Sequence, residues 1–289
     1  MTGTPSPCVV EIGGIPIALH SSDSDFLDRV RRRYAGFLST SAPEVELDFV
    51  LGERVWRGED EVRVQRADSM WTFERGDFEA RWDPQSGRAE VRKNPNPYAF
   101  DSVLRILHSL ILAGRGGFLL HAASAMCDST STTEKPAALY QTAEPRAFLF
   151  SGVSGAGKTT LTRLAPPDVT LLSDEISYVR PSRDGYSAFG TPFSGELAKP
   201  GENCSAPVTA LFFLEKGLEN RIDDLPPAEA VRRLMRNILF FAEDRELVER
   251  VFATACDFVQ RVPIRRLTFY PDSRVWEEIG NFGPVPAHV

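Results

Sequence analysis

Over the first hundred residues apolar and polar positions alternate in short runs, at 45–51, 61–66, 71–74 and 78–82. A period of two predicts half-buried antiparallel strands. Asp83-Pro84-Gln85-Ser86-Gly87 lies between two such runs and reads as a hairpin loop. Residues 24–38 instead place their apolar side chains at helical spacing, with Ser24 as the cap. The pattern describes a small β-rich module with one or two helices over residues 1–96. Asn94-Pro95-Asn96-Pro97, a strong breaker, marks its end.

From residue 97 to 289 the pattern changes. Phe100, Val103, Leu104, Leu107, Leu110 and Ile111 describe a helix ending at Gly114, and 118–125 is an apolar run of strand length. Residues 128–145, rich in Ser, Thr, Glu and Pro, read as a flexible surface insertion. A strand follows at 147–150, then a helix from Lys158, a strand at 169–172 and further strands near 177–179 and 208–214. Helices are expected at 228–240 and 245–259, a late strand at 264–269 and a terminal helix at 273–279. Strands alternating with helices predict a layered α/β domain, and the whole chain a mixed α/β protein. No internal repeat is present.

Composition narrows the classes. Of 289 residues, 42% are apolar and 25% charged, enough to fill a core. No apolar run reaches the roughly 20 residues that span a bilayer, and the N-terminus lacks the pattern of a signal peptide, so a cytoplasmic protein without membrane partners is expected. Cys8, Cys127, Cys204 and Cys256 are scattered without a CxxC pair, which argues against a zinc site and a disulfide framework. A net charge of −7 and a pI near 5.3 disfavour nucleic acid. The basic runs Arg31-Arg32-Arg33 and Arg232, Arg233, Arg236 read as solvated helix faces.

The chemistry concentrates after residue 150. Gly152-Val153-Ser154-Gly155-Ala156-Gly157-Lys158-Thr159 fits GxxxxGK[ST] at every defined position, and with Thr160 it joins a strand to a helix. The glycines let the backbone turn tightly, so that its amides and the following helix N-terminus surround a phosphate. Lys158 would then place its charge on the β and γ phosphates, and the Thr159 hydroxyl would ligate Mg²⁺. The expected ligand is a nucleoside triphosphate, ATP, with Mg²⁺. Sixteen residues beyond Lys158, the apolar run Leu171-Leu172 ends in Ser173-Asp174-Glu175. Carboxylates at such a strand end project into the crevice where α/β sheets hold ligands, suited to bind metal or take a proton from a hydroxyl.

A glycine-rich loop, an acidic pair one short helix downstream and a histidine-bearing strand upstream, Phe118-Leu119-Leu120-His121-Ala122-Ala123, together resemble HPr kinase/phosphorylase and the smaller HPr-kinase-like serine kinases, among them kinases that modify lasso-peptide precursors. The resemblance covers about 118–193 well and runs more loosely to Trp276. It implies the catalytic fold shared by HPr kinase and phosphoenolpyruvate carboxykinase, and transfer of the γ-phosphoryl group to a serine of a peptide or small protein. Asp174 inherits the role of general base and stands beside the metal, Glu175 and Glu196 match metal-side acids, and His121, with Lys158, matches a catalytic position of the family. The chain departs from the pattern in having glutamate at 175, in the 128–145 insertion, and in lacking the C-terminal signature of the bifunctional enzymes. Phosphorylase activity and HPr as substrate are therefore not carried over. Arg265 and Arg266 are candidates for neutralising a transferring phosphate. The motifs leave open a small-molecule kinase, a nucleotide-gated binding module without transfer, and the oligomeric state.

Overall fold

The computed structural model describes residues 5–52, 61–94, 97–127 and 145–282. The chain divides into two compact units, one of residues 1–114 with 240–250, the other of 115–239 with 251–289. The insertion expected at 128–145 lies, but for Pro145, outside the described residues.

In the first unit the chain runs through β1 (Cys8–Ile12), β2 (Ile15–Ser21), α1 (Ser24–Arg33), β3 (Val45–Leu51), β4 (Arg63–Ala67), β5 (Met70–Arg75), β6 (Phe78–Asp83), β7 (Arg88–Lys93) and α2 (Pro97–Gly114). The seven strands form one sheet in the order β1-β2-β3-β7-β6-β5-β4. Alternation predicts its faces well: Val45, Leu47 and Phe49 of β3 are buried, as are Phe78, Ala80 and Trp82 of β6. The pairing is not all antiparallel as expected, since β2–β3 and β3–β7 run parallel. Helix α1 supplies the crossover that a parallel β2–β3 pair requires. Its cap is Asp23, not Ser24: the Asp23 carboxylate accepts the Phe26 amide at 2.8 Å. The helix stops at Arg33, before a single 3₁₀ turn.

Helix α2 belongs to this unit, so the division falls after Gly114 rather than at the proline-rich breaker. The reason is Phe100, whose ring meets those of Tyr34, Phe49 and Phe26 at centroid distances of 5.2, 5.5 and 6.0 Å. One residue on, Asp101 accepts the Tyr34 hydroxyl at 2.6 Å and pairs with the Arg33 guanidinium. Part of the basic run is thus an ion pair within the fold rather than a solvated face.

The second unit runs through β8 (Phe118–Cys127), β9 (Arg146–Ser151), α3 (Lys158–Arg163), β10 (Val169–Ser173), β11 (Ile176–Ser182), β12 (Gly185–Phe189), β13 (Ser205–Lys216), β14 (Arg221–Asp224), α4 (Pro227–Asn237), β15 (Ile238–Leu239), α5 (Arg245–Arg261, its first turns assigned to the other unit), β16 (Ile264–Phe269) and α6 (Val275–Asn281). Two long strands organise the sheet. The first half of β8 pairs with β11 and β15, its second half with β9 and β10. Likewise β13 pairs first with β12, then with β9 and β16, the last two in parallel. The pairings therefore close a ring, β8–β11–β12–β13–β9–β8.

Strand alternation sends side chains to two cores. Ala147, Leu149, Leu211, Phe213 and Ile264 join Leu234 of α4 and Ala255 and Phe258 of α5. Phe148, Phe150, Phe212, Leu267 and Phe269 join Leu161 of α3 and Trp276 and Ile279 of α6. Trp276 satisfies its indole N–H on the Leu161 carbonyl at 3.1 Å, which ties the last helix to the one that follows the glycine-rich loop. Among the described residues no helix is long and apolar enough to cross a membrane.

Candidate active site

The loop after β9 has a shape that only its own sequence permits. Gly155 and Gly157 sit at φ +76° and +110°, in the left-handed region open to glycine. A Cβ on Gly157 would fall 2.6 Å from the Phe269 ring, and one on Gly152 2.8 Å from the Ala156 methyl. The loop is therefore pressed onto the ends of the strands beneath it. Ala156 is buried under it and Val153 points to solvent. Lys158, the first residue of α3, donates from Nζ to the Gly152 carbonyl at 2.9 Å, across the mouth of the loop.

Strand β8 is the spine on which the other chemistry hangs. Its Ala122 amide donates to the Glu175 carbonyl at 3.0 Å, and its His121 carbonyl accepts the Ser151 hydroxyl at 2.9 Å. Histidine, acidic pair and glycine-rich loop are so brought together at the middle of β8, where its pairing passes from β11 to β9. Asp174 and Glu175 occupy the break between β10 and β11 rather than a simple strand end. Ser173 shapes that break, its hydroxyl accepting the Glu175 and Ile176 amides at 3.2 and 2.9 Å.

Asp174 is buried and both its oxygens are occupied. Oδ1 accepts the Gly195 amide at 2.8 Å and Oδ2 the Leu197 amide at 2.9 Å. These bonds hold the intervening Glu196 over the cleft. Gly195 is required by the closeness, because a Cβ there would sit 2.9 Å from that of Glu175. The loop turns back at once through Ala198, which takes a left-handed φ of +51° and donates its amide to the Gly195 carbonyl at 3.0 Å.

These groups line one cleft of about 400 Å³: His121, Ser154, Gly155, Gly157, Lys158, Thr159, Thr160, Asp174, Glu175, Gly195 and Glu196. Of the residues expected from sequence, the cleft gathers His121, Ser154, Gly155, Gly157, Lys158, Thr159, Thr160, Asp174, Glu175 and Glu196, while Gly152, Val153 and Ala156 shape the loop without lining it. Arg265 and Arg266 are not among the lining residues. They pair with Asp224 and Asp223 of β14, at 3.0 and 3.4 Å. The anchoring of the 195–197 loop by Asp174 was not legible beforehand, since its donors lie 21 and 23 residues downstream.

Electrostatically the cleft sets three carboxylates against one ammonium. Burial pulls the Lys158 ammonium below its usual pKa, opposed by the negative charges of Glu175 and Glu196. Burial, and next the positive charge of Lys158, hold His121 below the ordinary imidazole value. An imidazole so placed is neutral at pH 7. The carboxylates and the Thr159 hydroxyl are hard oxygen donors of the kind Mg²⁺ takes. Among the described residues no group of three or more His, Cys, Asp or Glu forms a ready-made metal cage. Mg²⁺ in phosphoryl-transfer sites is held by one or two carboxylates together with substrate phosphates, so the donor set fits.

A family model described as "ScmC: SynChlorMet cassette protein ScmC" matches residues 103–282, well over half of the chain and all of the cleft. No curated protein matches the chain.

Proposed function

The chain belongs to the ScmC family of SynChlorMet cassette proteins, and from its site we propose that it is an ATP- and Mg²⁺-dependent kinase that transfers the γ-phosphoryl group to a serine hydroxyl of a peptide or small protein. One observation carries this reading: the glycine-rich loop, Lys158, the acidic pair, Glu196 and His121 line a single cleft. The resemblance of the same residues to HPr-kinase-like serine kinases supports it, and with it a second unit of the HPr kinase and phosphoenolpyruvate carboxykinase type.

In this reading the loop amides and Lys158 hold the β and γ phosphates, and Lys158 exchanges its bond to the Gly152 carbonyl for the phosphate oxygens. Thr159, Glu175 and Glu196 would hold Mg²⁺, which when bound offsets the charge that phosphate and carboxylates share. Asp174 takes the proton of the acceptor hydroxyl. Each of its oxygens accepts one amide, and a carboxylate oxygen has room for a second donor. A carboxylate is adequate here, because a loose phosphoryl-transfer transition state asks for positioning and charge more than for strong base chemistry. Neutral His121 stands beside Lys158 without adding a competing cation to the site.

The test is incubation with γ-labelled ATP, Mg²⁺ and a degenerate library of serine-containing peptides. Label on peptide serine is expected. Label only on a small molecule would replace the acceptor class, and nucleotide binding without turnover would refute the kinase.

A further inference from the structure

Four large apolar side chains stand exposed among the described residues of the second unit: Val153, Leu218, Phe252 and Tyr270. A single exposed apolar residue needs no explanation. Three of these four, however, lie just beyond the C-terminal ends of β9, β13 and β16, neighbouring strands that run in parallel. Leu218, in the turn after β13, is 95% exposed.

Contacts tie this edge to the phosphate loop. Phe269, the last residue of β16, lies against Gly157, so Tyr270 is one residue from the loop's floor. The Gly217 amide donates to the Phe269 carbonyl at 3.1 Å, and the Tyr270 amide to the Asn220 side-chain oxygen at 3.0 Å, lacing the turn that carries Leu218 to Tyr270. The end of β16 lies two strand spacings, about 10 Å, across the sheet from the end of β9 and, by the register of both with β13, three residues, about 10 Å, further along it, so the two ends stand about 14 Å apart, within reach of the nucleoside end of a loop-bound triphosphate.

Direction follows from topology. His121 and the acidic pair come from β8 and its partners β10 and β11, on one side of β9, whereas β13 and β16 lie on the other. A triphosphate in the loop with its terminal group toward Asp174 and Glu175 has its nucleoside end toward β13 and β16. We propose that Leu218 and Tyr270 form the nucleobase subsite, the tyrosine ring and leucine side chain stacking on the base. This rests on the phosphate-loop reading above.

Calorimetric titration with ATP and with inorganic tripolyphosphate tests it on the full chain, with Tyr270→Ala, Tyr270→Phe and Leu218→Ser. Loss of one base-stacking partner weakens binding about tenfold. Tyr270→Ala and Leu218→Ser should therefore raise the Kd for ATP by about that factor and leave that for tripolyphosphate unchanged, while Tyr270→Phe binds ATP like the parent. Unchanged ATP affinity in both weakening variants overturns the subsite while leaving the loop reading intact. Equal losses for both ligands also overturn it, because the residues would then act through the loop and not on a base. A parent protein that binds neither ligand overturns the loop reading, and the subsite with it.

Discussion

Replacing Asp174 by asparagine separates the anchoring of the 195–197 loop from the base role proposed for the same side chain. The carboxylate is 5% exposed and accepts two backbone amides at 2.8 and 2.9 Å, so water cannot stand in for either oxygen. Asparagine keeps one acceptor and turns an NH₂ toward the second amide, leaving two donors face to face. A hydrogen bond to a charged group contributes about 1.5–3 kcal/mol, and an orphaned buried donor costs about 1–3 kcal/mol. With the surviving bond also losing its charge, Asp174→Asn should destabilise the second unit by about 2–4 kcal/mol. At about 2–4 °C per kcal/mol for a unit of this size, the melting midpoint should fall by roughly 4–16 °C. Differential scanning calorimetry measures the midpoint, and amide hydrogen exchange reads Gly195 and Leu197 directly, which should lose protection. Transfer to serine should fall by about a hundredfold or more, the scale of a lost general base. A variant that melts with the parent and keeps both amides protected would refute the anchoring role, even if it were catalytically dead.

Other expectations follow from the same residues. Lys158→Ala should abolish ATP turnover, since it deletes the one ammonium among the cleft-lining residues, and a steady-state ATPase or kinase assay checks this. His121, held low by burial and by Lys158, should titrate below about pH 6.5 by NMR, and Lys158→Met should move that titration upward. Its depressed folded value means that the stability it contributes is present above about pH 6.5 and is lost as pH falls through the folded value, so the parent should lose more stability on acidification than His121→Gln. In the first unit the buried Lys93 is lowered to about 8, chiefly by burial and next by Arg29. Stability is therefore reduced wherever it is charged in the fold and recovers as pH rises from about 8 toward the ordinary lysine value. Lys93→Met should raise the melting midpoint at pH 7, with the advantage shrinking by pH 10.

The loop was legible because its constraints are local: Gly155 and Gly157 need φ angles that other residues resist, and a strand and a helix flank them. Alternation likewise revealed β3, β5 and β6, each with one buried face. Strand β2 escaped because its residues are buried almost throughout and offer no alternation. Strand β14 escaped because Arg221-Ile222-Asp223-Asp224 looks like a polar turn and becomes a strand only beside β16. The division between units was misread at the prolines, because what assigns α2 is Phe100 meeting Tyr34 and Phe49, contacts made at long range. For the site, residue types identified the acids and the cation, but not the partners of Asp174. That carboxylate looked like a free base, and amides of a later loop turn it into an anchor as well.

The β8–β9 hairpin has a polarity that bears on how the protein can be altered. Its register sets Ala122 opposite Ser151 at the cleft end and Cys127 opposite Arg146 at the other. Five residues of strand, about 17 Å, separate the two ends. Whatever chain joins Cys127 to Arg146 departs from the far end, so its length does not enter the spacing between His121 and the glycine-rich loop. The junction between Cys127 and Arg146 is therefore a place to open the chain or graft a reporter, with the expectation that the register at Ala122 and Ser151, and with it the cleft, keeps its alignment.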